Sequence, residues 1–203
     1  MNTPVILRLA PDPRDGDRVV VTIGPPDADA PETRTIGLHI AVVAEEGLRP
    51  GLPCPPDFVA RLEAGDAFQR HYARALGFLA VRPRSEAEVR QRLRRKAVPP
   101  ELIDAILARL QRAHYVDDAE FARYWIAERA RCRPRGARLL KNELRTKGVA
   151  PGVVDAALAA FEADAESAAA AESAAAEPAA TAPPDDDLAE ESRVVREALG
   201  LAE

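Results

Sequence analysis

Two short runs of β-branched and aliphatic residues, Val5-Ile6-Leu7-Arg8-Leu9 and Val19-Val20-Val21-Thr22-Ile23, flank the turn-forming stretch Pro11-Asp12-Pro13-Arg14-Asp15-Gly16. This arrangement predicts a β-hairpin. Residues 38–46 and 57–63 read as short helices, and Pro50-Gly51-Leu52-Pro53 interrupts any longer one. Beyond residue 65 the β pattern gives way to helical punctuation. Ser85-Glu86-Ala87-Glu88 has the form of a capping box, in which the serine hydroxyl accepts from a first-turn N–H and the glutamate reaches back to the cap. Val89 and Leu93 give the helix that follows its apolar face, while Arg90, Arg92, Arg94, Arg95 and Lys96 occupy the remainder. Pro99-Pro100 ends that helix and starts another, along which Leu102, Ile103, Ile106, Leu107 and Leu110 recur at helical spacing.

Asp117-Asp118-Ala119-Glu120 is a second cap. It opens a helix whose Phe121, Tyr124, Trp125 and Glu128 fall at i, i+3, i+4 and i+7, so the three rings share a face. A basic chain with interleaved aromatics is also what a single-strand binder uses to stack bases. These rings are assigned to the core, because they lie beside Ala122 and Ile126 and only 4% of the chain is aromatic. His114 is read as a helix-end residue.

Displacing the sequence by 51 residues superimposes Arg82-Pro83-Arg84 on Arg133-Pro134-Arg135, Val89 on Leu140, Leu93 on Leu144, Arg94 on Arg145 and Lys96 on Lys147. The match continues with Val98 on Val149, Ile103 on Val154, Leu107 on Leu158 and Leu110 on Phe161. Apolar positions and the basic helix end recur in register, which describes tandem bundles of three helices. The fold class expected is therefore mainly α: three-helix repeats of period about 51 residues behind a small β-containing N-terminal module. The module takes residues 1–65 and the repeats 66–165. An Ala/Glu-rich linker follows over 166–187, in what is expected to be a disordered acidic tail, and a short amphipathic helix is expected over 188–203 through Val194, Val195 and Leu199.

Charge sharpens this division. The whole chain of 203 residues carries a net charge of -5, but residues 68–149 hold 20 basic and 9 acidic side chains, whereas residues 150–203 hold 2 and 13. A centre at +11 attracts polyanions or acidic protein surfaces, and acidic flanks moderate its binding to arbitrary nucleic acid. Arginine dominates: Lys96, Lys141 and Lys147 are the only lysines of that centre. Guanidinium forks suit carboxylates and phosphates alike, so the residues leave both partners open.

The sequence contains no glycine-rich phosphate loop, no Gly-x-Ser-x-Gly turn and no His/Cys/Asp cluster at metal-ligand spacing. Asp117 and Asp118 are adjacent, so their side chains diverge on a helix, and capping accounts for them. An enzyme is not expected, nor a cofactor or metal. The two cysteines, Cys54 and Cys132, support neither a disulfide framework nor a zinc site and fit a reducing compartment. Residues 1–9 lack the features of a signal peptide and no run is long enough to span a bilayer, so a cytoplasmic protein without a membrane partner is expected.

The run Arg82-Pro83-Arg84-Ser85-Glu86-Ala87-Glu88-Val89, closing with Leu93-Arg94-Arg95-Lys96, is followed in order by Val116-Asp117-Asp118-Ala119-Glu120-Phe121-Ala122-Arg123-Tyr124-Trp125 and by the stretch 136–148. Together these motifs resemble the RecX family of bacterial recombinase regulators, over about residues 66–162. The resemblance implies an all-α, non-enzymatic protein, expected to act as a monomer, that lodges in the groove of the RecA filament on DNA. Its members mostly inhibit filament assembly, ATP hydrolysis, strand exchange and co-protease activity, which restrains recombinational repair and the SOS response. DNA phosphates within the filament are a further expected contact.

The partner-binding candidates are Arg84, Arg90, Arg94, Arg95 and Lys96 in the first repeat, with Arg135, Arg138, Lys141, Arg145 and Lys147 in the second. The rival reading is a general basic helical DNA-binding protein. Two departures from the family pattern stand out. Ala97 replaces the glycine that Gly148 keeps in the second repeat, and an acidic segment stands where a third basic repeat is expected after residue 162.

Overall fold

A computed structural model describes residues 3–26, 33–132 and 136–175. Arg133, Pro134, Arg135 and the expected helix over 188–203 lie outside the described residues. The described residues up to 159 form one compact unit, and those from 160 to 175 belong to another.

The N-terminal module is a three-stranded antiparallel meander, β1 (Val5–Asp12), β2 (Asp15–Gly24) and β3 (Arg34–His39). The first two strands are the hairpin the sequence predicts, with Leu9 paired to Val21 and Ile6 to Ile23. β3 corrects the reading of residues 38–46 as a single helix. Ile36 and Leu38 alternate inward opposite β2, with Val21 paired to Ile36 and Val19 to Leu38. The helix α1 (Ile40–Glu45) starts only after His39, whose Nδ1 accepts from the Ala41 N–H at 3.1 Å.

The second correction concerns residues 57–63, which belong to a far longer helix, α2 (Pro56–Leu79). Its first half packs Val59 and Leu62 against the sheet core of Ile6, Val21, Ile23 and Leu38. Gly65 lets α2 approach α1 closely, since a Cβ there would lie 3.4 Å from both Val42 methyls. The next residue, the buried Asp66, accepts from the His39 N–H at 2.9 Å and pairs with Arg18 at 3.2 Å and Arg70 at 3.0 Å. A buried carboxylate is tolerable only with such partners, and these tie β2, β3 and α2 together.

The second half of α2 opens the first three-helix repeat, completed by α3 (Glu86–Arg94) and α4 (Pro100–Arg112). Next come α5 (Asp118–Cys132), α6 (Ala137–Thr146) and α7 (Pro151–Ala175). The 51-residue displacement carries the start of α3 onto that of α6, and that of α4 onto that of α7. It also pairs buried side chains: Ala75 with Ile126, Val89 with Leu140, Leu93 with Leu144, Val98 with Val149 and Leu107 with Leu158. The repeat is thus a repeat of core positions. α7 continues through the alanine-rich run to Ala175, and its residues 159–172 are all exposed.

The ring assignment needs one correction. Phe121 is fully buried and Trp125 half-buried, but Tyr124 is 37% exposed. One helical step separates it from Trp125, enough to turn it from the core, which Ala122 and Ile126 fill instead. His114 does end a helix. It adopts φ 56° after α4, and the Tyr115 N–H returns to the Leu110 carbonyl at 2.9 Å.

Equivalent turns close α3 and α6. The Val98 N–H reaches the Leu93 carbonyl and the Val149 N–H that of Leu144, with Ala97 at φ 55° and Gly148 at φ 81°. Ala97 therefore adopts the left-handed conformation that glycine takes for free, at a cost of about 1 kcal/mol. Gly148 is under a stricter constraint, because a Cβ there would lie 2.3 Å from the Ala87 Cβ on α3.

That near contact marks the joint between the repeats, where the start of α3 meets the end of α6. Ser85, fully buried, accepts from the Glu88 N–H at 3.2 Å and donates to the Lys147 carbonyl at 2.6 Å. Glu88 completes the capping box and also takes Arg82 at 3.0 Å and the Lys147 ammonium at 2.9 Å. The two aspartates of the second cap divide the work. Asp117 accepts from the Ala119 and Glu120 N–H groups of its own helix, while Asp118 accepts from the Glu86 N–H at the head of α3, at 2.8 Å.

Gly148→Ala combines backbone strain with the Ala87 clash, and urea unfolding is expected to show a loss of at least about 2 kcal/mol. Ala87→Gly in that background recovers part of the loss, whereas Ala97→Gly alone raises stability by about 0.5–1 kcal/mol. Burial disfavours ionised Glu88, yet hydrogen bonds and charge from Arg82 and Lys147 outweigh it and hold the carboxyl below its ordinary value. Its stabilising effect is therefore complete above the unfolded-state pKa and lost as pH falls through the depressed one. Glu88→Gln is expected to cost about 1–3 kcal/mol at neutral pH, a deficit that shrinks on acidification below about pH 4 in parallel denaturation curves.

Candidate cationic interface

The ten candidate cations fall into three groups. Four are engaged within the scaffold, three in ion pairs and one against an aromatic ring. Arg90 bridges Glu86 on its own helix and Asp104 on α4. Lys147 serves the joint, with its ammonium 4.2 Å from the Trp125 ring centroid as well as against Glu88. Lys141 pairs with Asp155 at 2.7 Å in an exposed bridge between α6 and α7. Arg84 lies over the Phe78 ring at 4.2 Å, and its Nε is buried without an acceptor among the described residues.

Five others, Arg94, Arg95, Lys96, Arg138 and Arg145, are exposed and pair with no carboxylate among the described residues. The tenth, Arg135, lies outside the described residues. Arg94, Arg95 and Lys96 occupy the end of α3, and Arg145 the matching end of α6. Cations at these ends also complement the helix dipole, at about 0.3–1 kcal/mol each. That modest term does not call for three consecutive ones, so the end of α3 carries charge beyond what its helix uses.

The structure adds residues that the sequence did not single out. Arg74 on α2 and Arg92 on α3 share a small cleft with His71, Phe78 and Lys96. Burial first, then the charges of Arg74 and Arg70, pushes His71 below its ordinary value, so this face already disfavours another proton. Arg92 was visible as one of the basic residues of α3. Its convergence with Arg74 was not, because the two are brought together only when α2 packs on α3.

A different surface separates the repeats. A cavity of about 630 Å³ is bordered by Leu76, Leu79, Val81, Pro83, Tyr115 and Phe121, among others, with Val81 and Tyr115 largely exposed. Among the described residues no group of three His, Cys, Asp or Glu side chains is placed to hold a metal ion. Nor is any described helix long and apolar enough to cross a membrane.

Comparison with known proteins gives this architecture a family. Residues 72–110 match the RecX first three-helix domain and residues 117–158 the RecX second three-helix domain. A regulatory protein RecX of Mycolicibacterium vanbaalenii is 32% identical over 151 residues, covering 74% of this chain and 82% of the relative. One from Geobacillus kaustophilus is 33% identical over 127 residues, 63% of this chain but 47% of the relative, and one from Prosthecochloris aestuarii is covered over 62% of its length. The chain thus spans about half to two thirds of these last two relatives. A crystal structure of a regulatory protein RecX shares the fold, with TM-score 0.68 and 20% identity over 78% of this chain and 74% of that one. The paired helical cores, the capping-box joint and the extent of the match to the Mycolicibacterium relative lead to one conclusion: the chain belongs to the RecX family of regulatory proteins.

Proposed function

We propose that this protein regulates the RecA recombinase by binding its filament on DNA. In this reading it mostly inhibits filament assembly, ATP hydrolysis, strand exchange and co-protease activity, and so restrains recombinational repair and the SOS response. It acts in the cytoplasm as a monomer, without a cofactor, and catalyses no reaction.

The observation that supports the reading is the run of exposed cations at the end of α3, Arg94, Arg95 and Lys96, with Arg138 and Arg145 on α6, none of which meets a carboxylate among the described residues. These are free to meet acidic side chains or DNA phosphates along a filament groove. Arg90 and Lys147 belong to the scaffold instead, so their loss acts through stability. Because the joint fixes the second repeat on the first, the two cationic helices form one spaced array.

The test titrates the protein into cognate RecA hydrolysing ATP on single-stranded DNA, beside its binding to the same DNA alone. Hydrolysis is expected to fall at sub-stoichiometric protein, with weak binding to bare DNA. Charge reversal at Arg94, Arg95 and Lys96 is expected to raise the half-inhibiting concentration by at least about tenfold, equivalent to roughly 1.4 kcal/mol of binding. Unchanged hydrolysis together with tight, steeply salt-dependent binding to bare DNA would instead establish a general DNA-binding helical protein.

A further inference from the structure

A cleft between α2 and α3 concentrates more positive charge than the carboxylates among the described residues neutralise. It encloses about 260 Å³ and is lined by Phe78, Arg84, Glu88, Gln91, Arg92 and Arg95. Two guanidinium groups converge on one ring, that of Arg84 at 4.2 Å and that of Arg92 at 5.4 Å from the Phe78 centroid. Cations this close repel one another. Burial and the charges of Arg82 and Arg92 push Arg84 below the ordinary arginine value, with Glu88 acting in the opposite direction.

Glu88 is the one carboxylate among the lining residues, and it is already engaged. Its oxygens take Arg82, Lys147 and the Ser85 N–H. The Arg84 Nε is buried with no acceptor among the described residues, while Arg92 and Arg95 are exposed and pair with no carboxylate there. The cleft therefore offers three guanidinium groups around a space walled on one side by an aromatic ring.

The second repeat provides an internal comparison. Fifty-one residues further on, Phe78, Glu88, Arg92 and Arg95 are replaced by Arg129, Leu139, Glu143 and Thr146. Arg84 keeps its match in Arg135, outside the described residues, but the place of Arg92 is taken by a carboxylate, Glu143, which pairs at 2.9 Å with Arg129, itself lying over Trp125 at 4.5 Å. The same scaffold is thus built with a carboxylate at the place of Arg92 and a neutral side chain at that of Arg95, so these two cations are not a requirement of the fold.

We infer that the cleft formed by Phe78, Arg84, Arg92 and Arg95 is a binding site for a phosphate monoester dianion, carried by the end of a nucleic-acid strand or by a free nucleotide. A phosphomonoester brings close to two negative charges and three acceptor oxygens, against one charge on a chain-internal diester. Guanidinium forks bind such oxygens in pairs, and three of them around one small space match the dianion better than the diester. The inference does not rest on the RecA reading, and its test contains no recombinase.

The experiment is an NMR titration of the full isotope-labelled chain with AMP, and with two oligonucleotides of one sequence bearing a 5′-phosphate or a 5′-hydroxyl. AMP is expected to shift the amides of residues 78–95, and Arg92→Gln with Arg95→Gln to weaken it by at least about tenfold. Arg112→Gln with Arg123→Gln removes the same charge from exposed positions outside the cleft and is expected to leave binding unchanged. Tighter binding of the 5′-phosphorylated strand than of AMP assigns the site to strand ends, and comparable binding assigns it to free nucleotides. Absence of shifts at about 10 mM AMP, equal weakening by both pairs of substitutions, or equal binding of the two oligonucleotides would overturn the inference.

Discussion

The meeting of two helix ends, the start of α3 and the finish of α6, is the constraint on which the repeat array depends. A helix start leaves N–H groups without partners and a helix end leaves carbonyls, and burying both without compensation is costly. Here each set is answered across the joint. Ser85 spans it by accepting from Glu88 and donating to the Lys147 carbonyl, while Asp118 of the second repeat answers the Glu86 N–H of the first. Glu88 and Lys147 add opposite charges at ends where the helix dipoles favour them. Gly148 leaves room for Ala87, so backbone and side chain close the same gap.

This constraint decides which basic residues remain for a partner. The arginine-rich centre supplies many cations, but several are committed to holding one helix on another. Arg90 braces α3 against α4, Lys147 closes the joint, and Arg129 balances Glu143 against Trp125. Of the ten candidates, the five that are exposed and meet no carboxylate among the described residues lie at the end of α3 and along α6. For the proposed binding to a repetitive filament this arrangement matters, because the spacing of the contacts is only as well defined as the joint between the repeats.

The N-terminal module is joined to the first repeat by an element shared between them. α2 gives its first half to the sheet core and its second half to the first repeat, with Asp66 fixed at the changeover by Arg18, Arg70 and the His39 backbone. One helix thereby belongs to two hydrophobic cores. The polar cluster sits where the apolar face of the helix changes from one core to the other.

Helix starts and the repeat were legible in the sequence because they rest on local chemistry. Capping boxes, prolines at first turns and i, i+4 apolar spacing act within a few residues, so Ser85, Pro100, Asp117 and the 51-residue register identified the helices from α3 onward. β3 was hidden because Ile36 and Leu38 make a strand only beside β2, and α2 because Gly65 and Asp66 look like a break until α1 and Arg18 are in place. Tertiary structure alone decided the fate of the charges. Whether an arginine meets a carboxylate, an aromatic ring or solvent depends on residues far away in sequence, as Lys147 on Glu88 and Arg84 on Phe78 show. Sequence determined the family, the repeat and the excess of positive charge, since these reside in composition and short-range pattern. Packing determined which of those charges the protein keeps for itself, since an ion pair is set by distance in space and not along the chain.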